Sequence, residues 1–186
     1  MRKNILFSFL LIGVSSFLLM AVTQAKAQES DKVTIQEIEE FPYCCLPHKG
    51  PYTDIPDVIG QMVQTFREQN LFPTGPLIGI YYSVPENTKA EEYQWEVGFP
   101  VTAQSLIQPP LVLKQWSFKT VATCLHTGSY ETAIKTITKI QEWMDENGYV
   151  QAGPFLERYM DMDPAAVKPE NLKTEIWIPV KESRKY

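Results

Sequence analysis

The sequence predicts an α+β fold. Two copies of a strand–helix–strand–strand unit join into one antiparallel sheet, with two helices on one face and a groove on the other. The first observation behind this is a repeat. Gly50 and Gly128 lie 78 residues apart, as do Tyr52 and Tyr130, Gly75-Pro76 and Gly153-Pro154, and Tyr81 and Tyr159. After one inserted residue, Pro85 and Pro164 lie 79 apart, and Glu96-Val97-Gly98-Phe99-Pro100-Val101 matches Glu175-Ile176-Trp177-Ile178-Pro179-Val180 at the same offset. A register held across a whole unit marks duplication. The second observation is that both copies carry the same succession of apolar periods. The third is that each copy has a single amphipathic helix, which covers one side of its strands and leaves the other side to form a concavity between the halves.

A short alternating strand at 33–38 leads the first unit and is expected at a sheet edge. The first strands, 39–46 and 120–125, run into glycine-containing turns. In the first helix Thr53 or Asp54 is a suitable cap and Pro56 fits the first turn. Its apolar face is Ile55, Val58, Ile59, Met62, Val63 and Phe66. In the second helix Ser129 is the expected cap, Ile134, Ile137, Ile140 and Met144 form the face, and Gly148 is the stop. Gly-Pro then leads to the strands 77–83 and 155–161, a proline-containing loop, and the last strands 94–101 and 173–180. The repeat units span 33–101 and 111–180, joined by a linker at 102–110 that holds Pro109-Pro110.

The N-terminus has a different character. Met1-Arg2-Lys3-Asn4 precedes an apolar run from Ile5 to Val22, and Ala25 and Ala27 sit at the −3 and −1 positions of a cleavage site. Residues 1–27 therefore read as a signal peptide and 28–186 as one exported domain, periplasmic or extracellular. It has no stable membrane insertion after cleavage; if the signal is retained, it is a membrane anchor. Residues 28–186 keep 14 of the 17 basic residues and all 22 acidic ones, a formal net charge of −8. That balance argues against nucleic acid as a partner, because phosphates need Lys and Arg. Of three cysteines, Cys44 and Cys45 face opposite sides of a strand, so at most one of them can point at Cys124; either a disulfide or three buried thiols fits.

The alternation in the last strands separates two faces. Ile176, Ile178 and Val180, like Val97, Phe99 and Val101, should lie under the helices. Glu175, Trp177 and Pro179 then face the concavity, as do Glu96, Gly98 and Pro100. A carboxylate beside an indole attracts lipophilic cations through charge and through the ring face. Glu175 and Trp177 are the first candidates for ligand binding, with Glu96 as the mate of Glu175. Gly98 in place of Trp177 suggests one open half and one stacking platform. Phe155, Glu157 and Tyr159 share one face of their strand, and Tyr81 is the mate of Tyr159, so Glu157, Tyr159 and Tyr81 are candidates to line the pocket.

The segments 126–131, 153–159 and 174–180, with Gly50-Pro51-Tyr52 and Gly98-Phe99-Pro100-Val101, resemble the GyrI-like effector-binding family over about residues 33–180. The resemblance implies a duplicated strand–helix–strand–strand fold and a small molecule, often cationic and aromatic, held in a central ligand groove, with Glu175 matching the family's typical cation contact. No helix-turn-helix pattern stands ahead of Val33, so the pocket carries over and a transcriptional output does not. Two other functions remain open. Some relatives hydrolyse small electrophiles, and Glu175 or Glu157 could direct a water as a base, although no catalytic residue can be assigned. The fold is also shared with the SOUL haem-binding proteins; His48 and His126, with Cys45 and Cys124, could ligate a metal only if the two first strands meet. The favoured reading needs no cofactor and no metal.

Overall fold

The computed structural model describes residues 32–82 and 88–183; the expected signal peptide lies outside them. The described elements are β1 (Thr34–Glu37), β2 (Phe41–Lys49), α1 (Ile55–Glu68), β3 (Leu77–Tyr81), β4 (Gln94–Pro100), β5 (Val112–Trp116), β6 (Thr120–Thr127), α2 (Ala133–Asn147), β7 (Tyr149–Gln151), β8 (Phe155–Tyr159) and β9 (Lys173–Glu182). They form an antiparallel sheet ordered β1-β6-β9-β8-β3-β4-β2-β5, with β7 paired to the end of β9. The two units join at β3 and β8, where Gly79 lies opposite Glu157.

Each unit lends its leading strand to the other. β1 pairs with β6 and β5 pairs with β2. β5 does not stand out in the sequence because it is an edge strand with little buried alternation; Val112 and Leu113 are exposed and only Trp116 is fully buried. The exchange bends the sheet. Three residues, 38–40, connect the first strand of the order to the seventh, and three more, 117–119, connect the eighth to the second. A three-residue link reaches at most about 14 Å, whereas six strand spacings in a flat sheet are about 29 Å. The sheet must therefore curl until the links meet. They do meet: the Ile38 amide donates to Lys119 O at 2.6 Å, and Lys119 Nζ lies 3.2 Å from Glu40.

The helices sit on the convex side, each over its own unit. α1 buries Val58, Met62 and Phe66 against Val97, Val101 and Trp95, with Phe99 at the margin. α2 buries Ala133, Ile137, Ile140 and Met144 against Ile176, Ile178 and Val180. The expected division of the last strands is correct. Ile134 is an exception: it is 55 % exposed, because the stripe continues through Ala133 and Thr136, about 100° away around the helix. Asp54 and Thr132 are the residues before the helices, and neither side chain caps. Asp54 instead pairs with His48 at 2.9 Å, and Thr132 Oγ1 donates to Ser129 O at 2.7 Å. Gly148 ends α2 in the left-handed region (φ 74°).

The concave side is filled. Tyr43, Cys45, Ile78, Ile80, Trp116, Val121, Leu156 and Trp177 form a third core there, with Phe41 and Phe118 against it. Phe41, next to one link, reaches Trp177 four strands away in the sheet order, edge to face at 6.4 Å. The three cysteines form no disulfide and are buried in three separate cores. Burial pushes the Cys44 thiol up to about 11 and raises the Cys45 thiol further, so these two are inert at neutral pH.

Because Leu156 is fully buried at the centre of the concave core, Leu156→Ala is expected to cost about 2–5 kcal/mol in urea denaturation. A cost below about 1 kcal/mol would mean that this side is an open groove rather than a core.

Candidate functional site

The sheet sorts the six candidate residues onto two faces. Glu96, Glu175 and Trp177 lie on the concave side, while Tyr81, Glu157 and Tyr159 lie on the helix side. A single groove on the concave side does not contain all six.

On the concave side the carboxylates already have cationic partners. Glu175 pairs with Arg158, whose guanidinium stands 4.7 Å above the Trp177 ring. Trp177 is 5 % exposed, so its face is no open platform. Glu96 is buried and accepts hydrogen bonds from Tyr43 (2.7 Å) and Tyr82 (2.9 Å), and pairs with Lys114. A surface depression of about 500 Å³ beside it is lined by Glu96, Lys114, Tyr82 and Lys49. Gly98 does not open a cavity. A Cβ there would lie 2.2 Å from Cys44 O and 2.9 Å from Cys45 Cβ, so the close approach of β2 demands glycine.

The helix side is organised differently. α1 lies over β2 and β4, and α2 over β6 and β9, so β3 and β8 lie between the helices. At the junction of the units Glu157 is buried with 8 % exposure. Its Oε2 accepts from Tyr159 at 2.8 Å and from Tyr81 at 3.2 Å, and the two phenol oxygens are 2.7 Å apart. The ion pairs among the described residues do not include Glu157. Burial raises its pKa, and the two phenol hydrogen bonds offset this only in part. Burial and the nearby carboxyl also push both phenols well above their ordinary range.

Aromatic rings wall the carboxyl from both units. Tyr52 meets Tyr81 edge to face at 5.4 Å, and Tyr130 meets Tyr159 at 5.3 Å. Both outer tyrosines sit on the short turns that lead into the helices. Phe155 stacks on Tyr81 at 4.7 Å and Tyr93 packs on Tyr52 at 4.7 Å. The repeat offset of 78 pairs Glu157 with Gly79, so one half supplies the carboxyl and the other supplies space. A Cβ on Gly79 would come within 2.8 Å of Tyr81 Oη and 3.0 Å of Tyr159 Oη. The absent side chain lets both phenols converge. Tyr52, Tyr130 and Gly79 do not figure among the sequence candidates, although the same offset could have found them.

The histidines serve the turns. His48 is paired with Asp54 and packs on Trp95, while His126 bonds Thr136 and Thr132. β2 and β6 do not pair, and Cys45 lies in the concave core while Cys124 lies under α2, so the two Cys–His sets are not brought together. Among the described residues no cluster of three metal-ligating side chains occurs, and no helix is long and apolar enough to cross a membrane.

A family profile, GyrI-like small molecule binding domain, matches residues 31–181. No curated protein matches the chain. Similar solved structures include the EcmrR C-terminal domain (18 % identity, TM-score 0.72, 81 % of this chain and 98 % of that one). They also include SAV2435 bound to tetraphenylphosphonium (13 %, 0.59, 81 % and 94 %) and a hydrolase encoded by lin2189 from Listeria innocua (16 %, 0.60, 82 % and 93 %). At these identities the likeness is one of fold.

The raised carboxyl of Glu157 has a consequence for stability. The folded state holds its proton to higher pH than the unfolded state does, so stability falls as pH rises from the ordinary Glu range through the raised value. Glu157→Gln is expected to raise the melting temperature at pH 7, with the gain disappearing below about pH 4, where both states carry the proton. A variant less stable than the parent at pH 7 would contradict this account of the site.

Proposed function

We propose that this chain, which belongs to the GyrI-like small molecule binding domain family, takes up lipophilic aromatic cations between its helices, at Glu157. One observation carries the reading: Glu157 is a buried carboxyl with two phenol partners, no described cationic partner and rings on both sides. Burying a carboxylate without a counter-charge is costly, and a bound cation removes that cost. The surrounding rings hold the ligand's apolar surface and turn their negative faces to its charge. Glu175, the first candidate from sequence, is a weaker site because Arg158 supplies its counter-charge and covers Trp177. SAV2435, bound to tetraphenylphosphonium, provides a precedent for the ligand class on this fold.

A hydrolytic reading is kept for the same group. A carboxyl with a raised pKa beside phenol hydroxyls suits a general base, and two of the similar solved structures are hydrolases from Listeria innocua. It predicts turnover of a small electrophile that is lost in Glu157→Gln. We further propose that the domain is exported, on the strength of the charged start, apolar run and Ala25/Ala27 site, and that it has no nucleic-acid partner, given its −8 charge. A mature N-terminus at Gln28 in the protein recovered from the producing cells would support export; an intact Met1 in a cytosolic fraction would refute it.

Tetraphenylphosphonium is expected to raise the melting temperature of the protein. Glu157→Gln should weaken its binding by roughly 30-fold or more, as loss of a desolvated charge partner costs about 2–5 kcal/mol. Glu175→Gln should bind nearly as the parent does. The reverse pattern would move the site to the concave face.

A further inference from the structure

The contacts around Glu157 form a closed triangle: Tyr81 Oη to Tyr159 Oη at 2.7 Å, Tyr159 Oη to Oε2 at 2.8 Å and Tyr81 Oη to Oε2 at 3.2 Å. Each phenol brings one proton. If the carboxyl is ionised, two protons serve three contacts, and one pair of oxygens faces lone pair to lone pair. If the carboxyl carries a proton, each oxygen donates once and accepts once around the ring, and the bonds reinforce one another. Gly79 makes this closure possible, because any side chain there would drive the phenols apart.

No other described charge takes over the proton's role. β3 contributes Tyr81 and β8 contributes Tyr159. The turns before the helices contribute Tyr52, which acts on Tyr81, and Tyr130, which feels Glu157 together with Asp161 from the segment after β8. Glu157 lies opposite Ile176 of β9, and Cys124 of β6 is next along that row. His126 lies on the same face one row along but bonds Thr136 and Thr132. The buried helix faces are apolar apart from Thr136.

We propose that, without a ligand, the Glu157–Tyr81–Tyr159 triad holds a shared proton, and that a bound cation expels it to solvent, so that uptake is coupled to proton release. The proposal rests on Glu157 being the cation's partner. The balance is simple: the carboxyl O–H bond breaks, the proton leaves to water, and the carboxylate pairs with the cation. The groove is neutral before and after, so neither state buries an uncompensated charge.

The test is calorimetric titration of tetraphenylphosphonium into the protein, from about pH 4 to about pH 8, in paired buffers of different ionisation heat. In acid the binding enthalpy should depend on the buffer, reporting up to about one proton released per cation, and affinity should fall about tenfold per pH unit below the carboxyl's pKa. Binding with buffer-independent enthalpy at every pH would overturn proton coupling and leave the cation site standing. No binding at any pH would overturn both. A second readout is infrared difference spectroscopy: tetraphenylphosphonium should remove a protonated-carboxyl stretch that Glu157→Gln lacks. If binding occurs and no such band is lost, the stored proton is refuted.

Discussion

Two links of three residues shape the described sheet. Each carries the chain from near one end of the sheet to near the other, and neither is long enough to do so across a flat sheet. The sheet therefore curls about its concave side, and that side closes on Trp116, Trp177, Leu156 and their neighbours. The helices are left on the outside, each over the strands of its own unit. Only β3 and β8, the strands by which the units join, lie between them. The seam of the duplication, where the proposed ligand site lies, is thus the counterpart of the filled interior.

Three carboxyls in or near the sheet show how much a partner matters. Glu96 has Lys114 and two phenols, and Glu175 has Arg158. Both are ordinary compensated charges, held where hydrogen bonds and a cation meet their needs. Glu157 is buried to a similar degree as Glu96 but meets only phenols. Its raised pKa follows from that difference in surroundings. A group that costs the fold stability in the absence of a ligand is the kind of group that function retains.

The duplication, the element order and the inward face of the last strands were all legible, because a repeat fixes register and alternation fixes facing. Ile176, Ile178, Val180 and their mates lie where period two puts them. The exchange of β1 and β5 was not legible, since edge strands with exposed side chains leave little pattern and pairing between units leaves none. Without the exchange, the curl and the filled concave core could not be foreseen, nor the division of the six candidate residues between two faces. Five residues of the proposed site stood in plain view: Tyr52 and Tyr130, and Tyr81 and Tyr159, as repeat mates, and Glu157 through the strand face it shares with Tyr159. The misleading asymmetry was Gly98 against Trp177, where glycine answers to backbone crowding; the informative one was Gly79 against Glu157.

The paired tyrosines have a further consequence for the ligand itself. Tyr52 on Tyr81 and Tyr130 on Tyr159 are two versions of one wall, at 5.4 Å and 5.3 Å and both near perpendicular, with the carboxyl at the seam between them. A ligand turned end for end at the proposed site would meet similar surroundings, apart from Phe155 and Tyr93, whose mates in the opposite units are Leu77 and Leu172. At the proposed site such walls would measure a guest by its charge and thickness and be nearly blind to its orientation. Degenerate poses of this kind would reward flat or pseudo-symmetric guests and tolerate variation at their ends, and breadth of recognition would then be an inheritance of the duplication.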